Sequence, residues 1–176
     1  MTLAQAYYAL AAFLVLVGWL LFTASPLLRT FRRDPGATLL LLLLAVGWFA
    51  WNLHTLPDPD FAGLPRLPVM AVFIIASFLT YVYMPDFLSV RALGVLMLFL
   101  GRNTLDAGYG QLPFSLLDAS VSYGILIIWG FWWAASPVAF NRHCDWLLAT
   151  PLRHKMAGGI GLALGLACLA QSTRLA

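Results

Sequence analysis

The chain has 176 residues, of which 62% are hydrophobic and only 10% charged, with ten Lys and Arg against seven acids. A soluble domain carries roughly 25% charged and about 45 to 50% apolar residues, so this composition, with a mean hydropathy of +0.87, excludes an ordinary water-soluble protein and makes the bilayer the solvent. The bases lie beside hydrophobic segments rather than among aromatic platforms on a soluble face, which excludes nucleic acid as a partner.

Crossing about 30 Å of hydrocarbon takes around 20 mostly apolar residues in a helix. Six stretches meet or approach that need: residues 3–23, 37–53, 67–84, 87–105, 116–135 and 152–171. The expected fold is therefore an all-α integral membrane bundle of six transmembrane helices forming a single multi-pass domain. The first stretch has no basic flank before Tyr8 and is too long for a signal-peptide core, so it reads as a true span.

Ala24-Ser25-Pro26 ends the first span, and the basic link with Arg29, Arg32 and Arg33 leads to Asp34-Pro35. An N-cap oxygen ahead of a proline at the first helical position marks the start of the second span. His54, near its far end, offers a single axial ligand for haem or another macrocycle. The following connection carries Pro57, Pro59, Pro65 and Pro68 with Asp58 and Asp60 and reads as an irregular loop.

The third span closes on Tyr83-Met84-Pro85, and the fifth on Ala135-Ser136-Pro137. With the end of the first span, these allow three repeated helical hairpins about an axis along the membrane normal. The fourth span carries Gly94 and Gly101 on one face, then Arg102 with Asp106 at i+4. Arg102 lies about 16 Å of helix rise from Arg91. Asn103 and Asp118, early in the fifth span, extend this polar group. Ionisable residues in a membrane segment cost about 2.5 to 3.5 kcal/mol on the insertion scale. Arg102, Asp106 and Asp118 are therefore the expected substrate- or ion-binding residues, with a snorkelling arginine and its helix-end partner as the structural alternative.

The fifth span has an aromatic group, Tyr123, Trp129, Phe131, Trp132 and Trp133, suited to a lipid or pigment surface or to core and belt packing. Residues 139–149 place Phe140, Cys144, Leu147 and Leu148 on one face, away from Asn141, Arg142 and Asp145, which predicts a short amphipathic helix on the cytoplasmic membrane surface. His143, Cys144, Asp145 and His154 supply metal-type atoms, but adjacent helical residues point about 100° apart and do not converge. No metal site is expected. Thr150-Pro151 opens the last span, where Ala157, Gly161 and Gly165 recur every four residues. Small residues at that spacing let two backbones approach, either at a partner-helix interface or inside the bundle.

Seven bases (Arg29, Arg32, Arg33, Arg91, Arg142, Arg153 and Lys155) fall on one side, and Arg66, Arg102 and Arg174 on the other. The positive-inside rule then gives a multi-pass plasma (inner) membrane protein with both termini extracytoplasmic. Tyr7, Tyr8, Trp48 and Trp51 near one surface, and Trp132, Trp133 and Trp146 near the other, fit interfacial belts. The chain carries no GxSxG, HExxH or Gly-rich phosphate loop. The expected role is a non-catalytic membrane subunit or assembly component, with membrane lipids and other subunits or a self-oligomer as partners. The alternatives are a small oligomeric transporter or channel using Arg102, Asp106 and Asp118, and a lipid-, quinone- or haem-handling enzyme using His54 or His143.

Overall fold

The computed structural model describes residues 1–55, 65–83 and 86–175, all helices, turns and links. Six helices are long and apolar enough to cross a membrane. These are α1 (Leu3–Phe22), α3 (Pro35–Thr55), α4 (Arg66–Tyr83), α5 (Leu88–Gly108), the composite Leu116–Ala135 and α9 (Pro151–Leu175). Between them lie the short α2 (Leu27–Thr30), a 3₁₀ turn at Phe31–Arg33 and α8 (Pro137–Leu148). The composite span comprises α6 (Leu116–Val121), a π-helical segment (Ser122–Ile127) and α7 (Ile128–Ala135). The Asp58 and Asp60 loop and the Met84-Pro85 junction lie outside the described residues.

Local chemistry sets the helix ends. A capping box opens α1, with the Gln5 amide N–H donating to the Thr2 hydroxyl at 3.3 Å and the Thr2 N–H to the Gln5 side chain at 3.0 Å. Ala24 closes the same helix at φ 48°, while Ser25 N–H reaches back to the Leu20 carbonyl and Ala24 N–H to that of Leu21. That is a Schellman closure without the glycine that usually occupies its left-handed position. Asp34 caps α3 by accepting the Ala37 N–H at 2.8 Å, as its place before Pro35 predicts.

Sequence-adjacent spans are not always the closest neighbours. A hairpin repeat would lay α1 on α3, but α1 lies along α9, α5 packs on α7, the π segment and α3, and α4 packs on α3. The core joins Leu3, Tyr7, Leu10 and Leu14 of α1 to Met97 of α5, Val121 and Leu126 of the composite span and Cys168 of α9. A smaller cluster at the opposite end of the bundle gathers Val90, Phe140 and Cys144. No residue of α4 is buried.

Close backbone approach explains the tightest seam. A Cβ at Gly158 would sit 2.6 Å from the Phe22 Cα and 2.7 Å from the Gly18 carbonyl oxygen. Gly161 faces the Gly18 Cα, and Gly165 faces Val15. The small-residue face expected to take a partner helix or to pack internally is thus filled by α1 of the same chain. Ala157 is half-buried on the same helix.

Candidate functional site

The helical repeat of α5 brings Arg102 and Asp106 together one turn apart, their charged atoms 3.7 Å from each other and both side chains largely exposed. The chain then turns through residues 109–115 and enters α6, whose third residue is Asp118. This carboxylate is buried, only 1% exposed. Arg102, Asp106 and Asp118 all line one cleft of about 490 Å³, with Gly108, Tyr109, Ser115 and Tyr123 among its other walls. The three residues singled out in the sequence therefore share one site, but Arg102 pairs with Asp106 rather than with Asp118. Asn103 is half-buried on the same helix and does not line the cleft.

Asp118 is held from three directions. Its Oδ1 lies 3.1 Å from the Ser122 hydroxyl, one helical turn on, and Ser122 Oγ is 2.7 Å from Thr104 Oγ1 of α5. The Thr104 hydroxyl also contacts the Gly101 carbonyl at 2.9 Å. From α1, the Tyr7 hydroxyl accepts the Asp118 backbone N–H at 3.2 Å and donates to the Phe114 carbonyl at 2.6 Å. Among the described residues Oδ2 has no hydrogen-bond partner. It faces Gly108, where an added Cβ would come within 2.7 Å of it.

Sequence reasoning missed most of these supports. Tyr7, read as part of an interfacial belt, is fully buried, because its hydroxyl satisfies two backbone groups at the start of α6. Thr104 and Ser122 resemble any small polar residues in a span, and only the α5 packing joins them. The π segment starts at Ser122 with no proline to announce it. Wide turns of this kind are frequent at functional sites.

The other chemical candidates are dispersed. The His54 ring is exposed, and its carbonyl accepts from Arg66 at 3.1 Å. Among the described residues no group of three His, Cys, Asp or Glu gathers as metal ligands. His143 lies against the faces or edges of Trp129 and Trp132, with ring centroids 4.9 and 5.2 Å away. Trp133 Nε1–H donates to its Nδ1 at 3.2 Å, so the neutral ring carries its hydrogen on Nε2. Neither nitrogen then offers a free lone pair to a metal or haem.

Cys144 is buried in the small cluster on α8. Burial, with the Asp145 carboxylate adding to it, pushes its thiol from 9.0 up to about 12. Because the thiolate is the nucleophile, maleimide should label Cys144 far more slowly in the folded protein than in the denatured chain at mildly alkaline pH. Equal rates would contradict the buried position. The same shift keeps its stabilising contribution intact below pH 9.0 and removes it as pH rises toward about 12, since the unfolded thiol ionises first.

No family model matches the chain, and neither the curated proteins nor the solved structures yield a match to it.

Proposed function

We propose that this multi-pass membrane protein belongs to the transporter class and handles a small monovalent cation in the Arg102–Asp106–Asp118 cleft. The observation that carries this reading is the buried carboxyl group of Asp118, a residue lining the cleft, with one buried oxygen that has no hydrogen-bond partner among the described residues. A buried carboxyl group in a membrane helix is costly, so its presence favours a role in binding. The exposed Arg102–Asp106 pair stands at the rim, where it would set the local potential and select by charge. The π-helical segment next to Asp118 interrupts the span where a binding site would need irregular backbone.

The membrane placement follows from charge. Seven bases gather at the end of the bundle holding residues 23–34, α8 and the start of α9, which supports a plasma (inner) membrane location with that end cytoplasmic. The cleft and both termini are then extracytoplasmic. Helix α8 buries Phe140 and Cys144 and exposes Arg142, Asp145 and Trp146, in keeping with an amphipathic helix lying on the cytoplasmic surface.

Purified protein reconstituted into liposomes provides the test, with radioactive sodium and rubidium as alkali-cation tracers and a trapped pH dye for protons. Uptake of at least one of these above the rate of empty liposomes is expected. Asp118→Asn and Arg102→Ala should return it to the empty-liposome rate while the helical content stays unchanged. Uptake by the wild type no faster than by empty liposomes, for all three ions, would refute the reading.

The second reading is a non-catalytic subunit of a membrane complex or a self-oligomer. It is favoured by α4, which packs on α3 and exposes Leu67, Val72, Phe78 and Tyr83. In that case α4, rather than the Gly161 and Gly165 face already filled by α1, carries the partner surface.

A further inference from the structure

Three oxygen-to-oxygen contacts in line end on Asp118: Gly101 carbonyl to Thr104 Oγ1 at 2.9 Å, Thr104 Oγ1 to Ser122 Oγ at 2.7 Å, and Ser122 Oγ to Asp118 Oδ1 at 3.1 Å. Each contact needs one hydrogen between its oxygens. The carbonyl brings none, and each hydroxyl brings one. Two hydroxyls therefore cannot fill three contacts. With Asp118 ionised, one contact would set lone pairs against each other in a buried place. The carboxylate would also hold a single side-chain hydrogen bond, since among the described residues Oδ2 has no partner and Arg102 pairs with Asp106. A buried anion so poorly compensated is strongly disfavoured.

We propose that Asp118, Ser122 and Thr104 form a proton-binding site, in which the carboxyl group carries the proton on Oδ1 and donates it to Ser122. Ser122 then donates to Thr104, and Thr104 to the Gly101 carbonyl, so that all three contacts are filled. That the bound proton is the ion the protein handles rests on the cation reading above. On release, one proton leaves the carboxyl group for the cleft. The Ser122 hydrogen turns to Oδ1, the Thr104 hydrogen turns to Ser122, and the Gly101 carbonyl loses only its side-chain donor. Before release the neutral carboxyl group must rotate to carry its O–H from Ser122 round to the Gly108 side, where Oδ2 lies buried against a residue of the cleft wall. No other bond changes.

The groups that surround this carboxyl group come from four elements. Tyr7 approaches from α1 and Cys168 from α9. Arg102 and Asp106 of α5 line the same cleft as a mutual pair, with Tyr109 and, from the π segment, Tyr123. Hydroxyl reversal thus offers a way to bind and release a proton without moving a charged side chain.

Infrared spectroscopy of the full chain in lipid at neutral pH tests the site directly. The expected spectrum holds the carbonyl stretch of a protonated carboxylic acid that shifts in heavy water. The band should vanish in Asp118→Asn and move to higher frequency in Ser122→Ala, where the carboxyl group loses its acceptor. A wild-type spectrum without the band overturns the proposal, as does a band that survives Asp118→Asn. If Asp118→Asn fails to fold, the Ser122→Ala shift decides, and an unmoved band overturns the proposal. The two readings fail separately. The band without any ion uptake leaves the proton site standing and removes the transport reading; sodium or rubidium uptake without the band does the reverse.

Discussion

Gly158→Leu is expected to unseat α1 from α9 and leave most of the protein unfolded in mild detergent. The two helices meet backbone to backbone at this point, with the Phe22 Cα 2.6 Å and the Gly18 oxygen 2.7 Å from where any Cβ would stand. Backbone cannot swing aside as the tip of a side chain can. The helices must separate, and in lipid their association depends on this close packing because the hydrophobic drive of water is absent. Overpacking a well-filled core costs about 1–3 kcal/mol, and a four-carbon side chain against backbone belongs at or above the top of that range. Gly159→Leu is the matched control, since a Cβ there meets nothing within 4 Å. Unfolding in mixed micelles of increasing SDS, followed by circular dichroism, should show Gly158→Leu melting well before wild type and Gly159→Leu close to it. Coincident curves for the two variants would refute the seam.

Tyr7→Phe should lower stability by about 1–3 kcal/mol, with the loss concentrated where α1 meets α6. The first N–H groups of any helix lack partners inside it. Ser115 at the N-cap of α6 makes no side-chain cap, and the Tyr7 hydroxyl, 111 residues away in sequence, accepts the Asp118 N–H instead. The same hydroxyl donates to the Phe114 carbonyl. Phenylalanine fills the space but leaves the buried Asp118 N–H unpaired and takes the donor from the part-buried Phe114 carbonyl, and that desolvation is the source of the cost. Tyr8→Phe, altering a ring that is 44% exposed, should leave stability at the wild-type level. Equal unfolding midpoints for Tyr7→Phe and wild type would show that water or another group replaces the hydroxyl at no cost. Because Tyr7 positions the backbone of Asp118, the cation reading proposed above predicts that the same variant slows uptake without removing a charged group from the cleft.

How much was legible in advance depended on the range over which each feature is encoded. Apolar run length is local, so the six spans lie within a few residues of their expected bounds. Asp34-Pro35 is a local signal too, and its cap forms as its chemistry requires. The Arg102–Asp106 contact follows from one turn of helix and nothing else. These features need no knowledge of which helix lies beside which.

The remainder was decided by helix neighbours, which composition does not specify in a lipid-like setting where nearly every face is apolar. Gly161 and Gly165 announce a close approach in sequence, yet only the tertiary arrangement assigns it to Gly18 and Val15 of the same chain. Tyr7 reads as a belt residue until α6 arrives over it. Thr104 and Ser122 lie 18 residues apart on different elements, and neither is unusual alone. The sequence by itself determined that this protein is a multi-span helical bundle and which few charged residues it holds. Tertiary structure alone decided that Asp118 is buried beside a cleft, short of one hydrogen along its hydroxyl line and, among the described residues, without a partner at Oδ2, because burial and hydrogen-bond satisfaction are set by groups brought together from distant parts of the chain.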